Sequence, residues 1–213
     1  MPEPIRVLLA DDHTIARNGV RLMLGTAGDI EVAGEAADGR EALELARSRP
    51  FDVALLDITM PGMNGLDLLR HLRSQFPAMA ALMLSTYSEE IYAVRALKLG
   101  AAGYLTKDVP TAVLVDAVRR AASGRRYVSP TLIDKLAAMV SGEGGSAGHE
   151  SLSNRELEVL RAIARGEQLV QIGERLHLSP QTVTTYRARI LDKMGMASNA
   201  ELTRYALENG LIQ

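Results

Sequence analysis

One rhythm governs the first 125 residues: a short apolar run, a turn, then a helical pattern, five times in succession. "IRVLLA" (5–10), "IEVAGEA" (30–36), "DVALLD" (52–57), "AALMLST" (80–86) and "GYLTK" (103–107) read as strands. "TIARNGVRLMLGT" (14–26), "GREALELARSR" (39–49), "GLDLLRHLRSQ" (65–75), "EEIYAVRALKLG" (89–100) and "PTAVLVDAVRRAASG" (110–124) carry apolar residues at helical spacing. Pro50, Gly100 and Gly124 mark helix ends, and Pro110 marks a start. A helix between two strands carries the chain back along the sheet, so the second strand enters parallel to the first. Five such units predict an α/β fold, a five-stranded parallel doubly wound sheet with helices on both faces.

The rhythm stops at "SGEGGSAGHE" (141–150), which is Gly/Ser-rich and reads as a flexible linker, the alternative being a long loop within one domain. Beyond it the pattern is all helix. "SNRELEVLRAIARG" (153–166) opens with Ser153 and places Glu156 three residues later, a capping box. "LVQIGERLH" (169–177), "SPQTVTTYRARILDKMG" (179–195) and "NAELTRYALENG" (199–210) follow, the second starting with an N-cap serine and a first-turn proline. Two helices joined by "LHLSPQ" predict a small all-α helix-turn-helix domain. The expected division is 1–125, a linker region 126–150 with a helical start, and 151–213.

The chain contains no cysteine, which removes disulfides and thiolate metal sites. Hydrophobic content of 47% and charged content of 23% are ordinary for a soluble protein. No stretch reaches the roughly 20 apolar residues that span a bilayer, and the N-terminus lacks a signal-peptide pattern. The expectation is a cytoplasmic protein with no membrane partner. Net charge is −2 overall, but −3 for 1–150 and +1 for 151–213. Arg187, Arg189 and Lys193 face one acid, Asp192, within 181–194, which is compatible with a phosphate-backbone partner.

The stretch "VALLDITMPGMNG" (53–65) raises a chemical question: an apolar strand ends on a lone carboxylate, Asp57, and a Pro/Gly turn follows. Functional groups of open α/β sheets gather at the carboxyl ends of strands. Here those ends supply Asp11 and Asp12, Asp57, Ser85 and Thr86, and Thr106 and Lys107. Three crowded carboxylates recruit a cation, and an all-oxygen set without His or Cys suits Mg²⁺. A lysine and a hydroxyl beside them would bind anionic oxygens. Singly, each residue has a plainer use: Asp11 or Asp12 as a helix N-cap, Lys107 as a solvated strand end, Ser85 and Thr86 as turn formers. Jointly, they describe a site for a metal and a phosphoryl group.

"LLADDH", "LLDITMPGMNG", "LMLST" and "GYLTKD" resemble the acidic pair, phosphoacceptor loop, switch hydroxyl and lysine of a CheY-like receiver domain, over roughly residues 4–125. The resemblance implies that Asp57 accepts a phosphoryl group from a phosphohistidine on a sensor histidine kinase. It implies Mg²⁺ held by Asp12, Asp57 and the backbone carbonyl of Thr59, with Asp11 acting through water. It implies Lys107 paired with Asp57 or with the phosphoryl group, Ser85 as switch hydroxyl with Thr86 as its competitor, and Tyr104 as the aromatic that swings with it. A haloacid-dehalogenase-like phosphatase would need a second acid two residues after the nucleophile, where Thr59 stands. Turnover of outside substrates is therefore not expected, and the chain is not expected to be an enzyme beyond assisting its own phosphorylation and dephosphorylation.

"LSNRELEVLRAIARGE", "IGERLHLSPQTVTTYRARILDKMG" and "AELTRYALENGL" resemble the LuxR-type DNA-binding domain over about residues 151–212. A helix in the major groove reads base edges with its N-terminal half and meets phosphates with its flanks. The resemblance assigns that helix to 181–194. Thr184, Thr185 and Ala188 fall at base-reading positions, and their methyls suit thymine. Gln181, Thr182, Tyr186, Arg187, Arg189 and Lys193 are candidates for phosphate, while Val183, Ile190 and Leu191 are expected in the core. The family pairs its last helices, which here points to Glu201, Leu202 and Tyr205 as a homodimer contact.

Together the two halves resemble a NarL/FixJ-type response regulator. The implied function is a two-component transcription regulator, phosphorylated on Asp57, that binds double-stranded promoter DNA as a homodimer. The alternatives are a regulator controlled by a protein or small ligand without phosphorylation, and an acyl-lactone sensor. The lactone sensor would need an aromatic-lined cavity, and the chain has no Trp and two Phe.

Overall fold

The computed structural model describes residues 3–86, 89–130, 132–133 and 148–212. The chain divides into two compact units, Met1–Ala137 and Ala138–Gln213.

The first unit alternates β1 (Ile5–Ala10), α1 (Thr14–Gly25), β2 (Ile30–Ala36), α2 (Gly39–Ser48), β3 (Val53–Leu56), α3 (Gly65–Gln75), β4 (Ala80–Ser85), α4 (Glu89–Lys98), β5 (Gly103–Thr106) and α5 (Thr111–Ala122). The strands form one sheet in the order β2-β1-β3-β4-β5, and every pairing is parallel. The predicted doubly wound sheet is therefore present.

Alternate side chains leave opposite faces of a strand. Val7, Leu9, Val53, Leu55, Leu82, Leu84 and Leu105 pack with Val20 and Leu24 of α1 and with Leu114 and Val118 of α5. The intervening Leu8, Ala54, Leu56, Ala81, Met83 and Tyr104 are also buried, on the face covered by α2, α3 and α4. Both faces of β3 and of most of β1, β4 and β5 are dry, which is why the sequence shows apolar runs there, whereas the edge strand β2 keeps Glu31 and Glu35 exposed. Each buried Leu or Val contributes about 1.5–3 kcal/mol relative to exposure. Beyond α5, Tyr127 adds a parallel bridge to Gly103, so the chain stays with the sheet past residue 125.

The second unit opens with a 3-10 turn, Gly148–Ser151, and continues as α6 (Asn154–Ala164), α7 (Leu169–Leu176), α8 (Pro180–Met194) and α9 (Asn199–Glu208). Helix α6 is its hub, packing against α9 and α8, with α7 also against α8. Leu157, Val159, Leu160 and Ile163 of α6 are buried together with Ile172, Leu176, Val183, Ile190, Leu202 and Ala206. Leu191, expected in the core, is only partly buried. The turn between α7 and α8 is tight: a Cβ on Gly173 would lie 2.7 Å from the Leu178 carbonyl oxygen, and His177 takes a left-handed conformation at φ 52°.

The expected linker falls largely outside the described residues, which exclude 134–147. Its last residues belong to the second unit: the Tyr205 hydroxyl accepts the His149 backbone N–H at 3.2 Å and stands 2.9 Å from His149 Nδ1.

Helix α6 carries the predicted capping box: Ser153 Oγ accepts the Glu156 N–H, and a Glu156 carboxylate oxygen accepts the Ser153 N–H at 2.7 Å. Ser153→Ala removes one half of it. Urea unfolding of the second unit is expected to lose about 1 kcal/mol, with the m-value unchanged.

Candidate functional site

The parallel ladder delivers the acidic residues to one edge. Ala10 and Leu56 are register partners at the ends of β1 and β3, so the residues that follow them emerge side by side. The Asp57 N–H donates to the Ala10 carbonyl at 2.8 Å, and the Asp11 N–H donates to the Ala36 carbonyl at 3.1 Å. On the other flank the Lys107 N–H donates to the Ser85 carbonyl at 2.8 Å. All five strand ends are thus bonded to a neighbour through the backbone before any side chain acts.

Lys107 Nζ then crosses the edge, 2.8 Å from Asp57 Oδ2 and 2.7 Å from Asp11 Oδ2. The strand that ends on a carboxylate has its salt bridge after all, from a lysine fifty positions away in sequence. The loop after Asp57 folds back tightly: the Gly65 N–H donates to the Ile58 carbonyl at 2.8 Å, and a Cβ on Gly65 would overlap the Asp57 carbonyl. Asn64 then caps α3 by accepting the Asp67 N–H. Gly65 is therefore required where the chain passes directly beneath Asp57.

Asp11, Asp12, His13 and Asp57 each offer one ligand atom, and these four atoms lie within 4.8 Å of one another. Asp11 Oδ2 and Asp12 Oδ1 are buried and accept no hydrogen bond. Their nearest polar neighbours, Lys107 Nζ and His13 Nδ1, approach to 2.7 Å without hydrogen-bond geometry. Three crowded carboxylates that share one ammonium leave net negative charge at this edge, which fits a hard divalent cation such as Mg²⁺.

One expectation needs correction here. Neither Asp11 nor Asp12 caps α1; the N-cap is His13, whose side chain makes no capping bond. Asp11 instead accepts the His13 N–H at 2.8 Å, which orients the acidic turn. His13 Nδ1 stands beside these oxygens, 2.7 Å from Asp12 Oδ1. Sequence reasoning passed over His13 although it stands within the quoted "ADDH".

Burial pushes the Asp57 carboxyl up to about 6; Lys107 pulls it back, and Asp11 and Asp12 add to the rise. Burial works against the Lys107 charge, but Asp57 and Asp11 outweigh it and hold the ammonium above its ordinary value. The lysine stays charged, and Asp57 is ionised at neutral pH.

Ser85 is wholly buried at the end of β4, whereas Thr86 is exposed. Tyr104, on the neighbouring strand, is wholly buried. Thr59 is half-buried in the loop after Asp57.

In the second unit α8 begins at Pro180, with Ser179 Oγ accepting the Thr182 N–H at 3.1 Å. Gln181, Thr184, Thr185, Ala188, Arg189 and Lys193 are exposed, and Thr182, Tyr186 and Arg187 are part-buried. A surface concavity is lined by Ser179, Gln181, Thr182, Thr185, Tyr186 and Arg189. Thr184 and Thr185 donate their hydroxyls back to the Pro180 and Gln181 carbonyls, both at 3.0 Å, which spends the donors and leaves the methyls as their free chemistry. Arg187 Nε donates to Asn199 Oδ1 at 2.6 Å. Lys193 Nζ is held by the buried Glu156 carboxylate at 2.7 Å. Burial would raise the Glu156 pKa, but Lys193 and Ser153 overcome it and hold the carboxyl below its usual range.

The dimer expectation needs correction at one position. Leu202 is wholly buried inside the unit, so it offers no surface to a second chain. Glu201 accepts the Ala197 N–H at 3.0 Å, and Tyr205 is bonded to His149.

The raised pKa of Asp57 has a stability consequence. Between 3.8 and about 6 the folded chain holds a proton that the unfolded chain releases, so this group's contribution falls as pH rises through that window. In metal-free buffer, Asp57→Asn is expected to stabilise the chain above pH 7 by on the order of 2 kcal/mol. The advantage should shrink as pH falls below 6 and vanish near 4. Denaturant midpoints across pH measure it; a pH-independent difference would contradict the buried-carboxylate account.

Comparison with known proteins agrees with both halves. Residues 7–119 match the response regulator receiver domain, and residues 150–206 match the bacterial regulatory proteins of the luxR family. The chain is 36% identical to the response regulator UvrY of Escherichia coli strain K12 over 97% of this chain and 95% of that one. It resembles the crystal structure of ChrA, a response regulator in a heme-sensing two-component system, at 34% identity, with a TM-score of 0.54 and coverage of 98% and 99%. It also resembles RcsB from Salmonella enterica serovar Typhimurium, bound to a promoter in the presence of the phosphomimetic BeF3−, at 25% identity, with a TM-score of 0.65 and coverage of 95% and 98%. No helix among the described residues is long and apolar enough to cross a membrane. A parallel sheet with its acidic edge, a helix-turn-helix unit, and full-length relatives of the same build together assign this chain to the two-component response regulators, transcription regulators that join a phosphorylated receiver domain to a LuxR-type DNA-binding domain.

Proposed function

We propose that Asp57 is the phosphoacceptor of this regulator and that its modification controls promoter binding by α8. The observation that carries the reading is the Asp57–Lys107–Asp11 group at the sheet edge, with Asp12 beside it. The receiver would span 1–125, the linker region 126–150 and the DNA-binding domain 151–213.

Asp12 and Asp57, with the Thr59 carbonyl, would hold Mg²⁺, and Asp11 would reach it through water. The ion supplies positive charge against the oxygens of the transferring phosphoryl group. An Asp57 carboxylate oxygen, ionised at neutral pH, attacks the phosphorus of a phosphohistidine on a sensor histidine kinase. A P–O bond forms, the P–N bond breaks, and the kinase imidazole leaves with the electron pair and takes a proton from water. Lys107 is already aimed at the accepting oxygens and neutralises the charge that arrives. Ser85, buried at the next strand end, would donate its hydroxyl to the new phosphoryl group, ahead of the exposed Thr86. Tyr104 lies on the strand beside it and would move with that hydroxyl. The chain catalyses only the gain and loss of its own phosphoryl group.

The exposed face of α8 is the proposed DNA surface. Thr184, Thr185 and Ala188 present methyls to thymine in the major groove. Gln181, Thr182, Tyr186 and Arg189 line the concavity at the helix start and contact phosphate. Arg187 uses its Nε on Asn199 and Lys193 meets Glu156, which leaves their other N–H donors for phosphate. One such unit covers a short half-site, so a phosphorylation-driven homodimer would raise affinity through effective concentration. Glu201 and Tyr205 remain candidates near that contact. The working place of such a protein is the cytoplasm.

Sedimentation velocity and promoter-DNA anisotropy, each with Mg²⁺ and beryllofluoride, test the scheme. The wild type is expected to shift from monomer to dimer and to bind DNA more tightly, and Asp57→Asn to do neither. An equal shift in Asp57→Asn would point to control by a protein or small ligand without phosphorylation. Arg189→Ala is expected to weaken binding evenly across sequences and to lower the salt slope by about 1.

A further inference from the structure

The chain does not leave the sheet when α5 ends. The Tyr127 N–H donates to the Ala102 carbonyl at 2.7 Å, and Tyr127 forms an isolated parallel bridge with Gly103, the first residue of β5. Tyr127 also packs against the core shared with α1 and α5. Ser129 is buried, and its Oγ accepts the Leu132 N–H at 3.2 Å, so the chain enters its next turn from a capped start. A segment present only to cover the sheet edge would pair along β5. This one touches β5 at its first residue and then turns into its cap.

The contact is backbone on backbone. A Cβ on Gly103 would lie 2.5 Å from the Tyr127 carbonyl oxygen, so only glycine lets the segment approach β5 this closely. The same short strand leads to the phosphoryl edge. From Gly103 to Lys107 is roughly 13 Å of extended chain. Lys107 Nζ meets Asp57 and Asp11 there, and the Lys107 N–H is tied to the Ser85 carbonyl at 2.8 Å. Tyr104, next to Gly103, is wholly buried. A four-residue strand in a close-packed interior moves as a piece, so a shift at one end reaches the other. The 2.7 Å bond to Ala102 already sits at the short end of the range for N–H···O, so a shift of β5 weakens it.

We propose that Tyr127–Ser129 is a strap that β5 holds in the unmodified protein and loosens when Asp57 is phosphorylated, so that the receiver's state passes into the linker through the main-chain contact at Gly103. This rests on the reading that Asp57 accepts the phosphoryl group and that Ser85 and Tyr104 move with it. The capped turn at Ser129 keeps the end of the strap stiff, so a displacement of Tyr127 is passed on and not absorbed. An element held by a lone bridge belongs to the low-stability end of a fold, from which moving parts are drawn.

Hydrogen exchange of the full chain, read by mass spectrometry, tests the strap with Mg²⁺ alone and with Mg²⁺ and beryllofluoride. Two peptides matter, the loop 53–65 and the strap 125–130. In the wild type, beryllofluoride is expected to slow exchange in the loop and to speed exchange in the strap on the order of tenfold. Gly103→Ala is expected to exchange fast in the strap under both conditions, while its loop still responds and acetyl phosphate still modifies Asp57. A wild-type strap that beryllofluoride leaves unchanged or slows, with the loop responding, would overturn the strap and leave the phosphoacceptor reading standing. A strap in Gly103→Ala that stays slow and responsive would overturn it as well. No response in the wild-type loop would overturn the Asp57 reading and the strap with it. The wild-type measurement needs no substitution, so it decides the matter even if Gly103→Ala fails to fold.

Discussion

Three carboxylates and one ammonium share the carboxyl edge of a sheet whose backbone gives them little room to separate. Asp11 and Asp57 follow register partners in adjacent parallel strands, and Lys107 is fixed beside Ser85 two strands away. Like charges this close raise one another's energy, and low solvent access sharpens the effect. Lys107 relieves part of it by meeting Asp11 and Asp57 together. Asp57 nevertheless stays above its ordinary carboxyl range, and three carboxylates still share one ammonium. The edge is therefore electrostatically incomplete, and a divalent cation or a phosphoryl group changes its balance. A fully paired edge would be more stable and would have nothing to report.

The packing beneath explains how such an edge persists. Both faces of the central strands are sealed by helices, and the backbone ladder runs to the last residue before each functional side chain. The loop from Asp57 to Gly65 passes so close under the aspartate that a side chain at Gly65 cannot be accommodated. The second unit uses the same economy. Glu156 completes the cap of α6 and also holds Lys193 on α8, so one carboxylate joins the start of the hub helix to the far end of the exposed one.

Much of this was legible in the residues. Apolar runs at "IRVLLA" and "DVALLD", with helical spacing between, imply a parallel sheet because period and length admit little else. Placing Asp11, Asp57 and Lys107 together follows from the sheet topology, and the structure brings them within salt-bridge distance. Other features depend on three-dimensional detail that spacing does not encode. Leu202 points inward because α9 packs its apolar face on α6, so a residue expected at a surface contact is core. Lys193 looked free in sequence because its partner, Glu156, lies 37 positions earlier. The cap position expected of Asp11 or Asp12 falls to His13, the residue after them. Only the geometry shows that the cap goes unmade and the ring turns to the carboxylates.

The central claim is that Asp57 takes the phosphoryl group at this charged edge. The most direct test is to incubate the full chain with Mg²⁺ and acetyl phosphate, trap the acyl phosphate by borohydride reduction, and locate the modified residue by mass spectrometry. The account predicts a single modified position, Asp57, and none in Asp57→Asn. An unmodified wild type, or a modification that persists at another residue in Asp57→Asn, would contradict it.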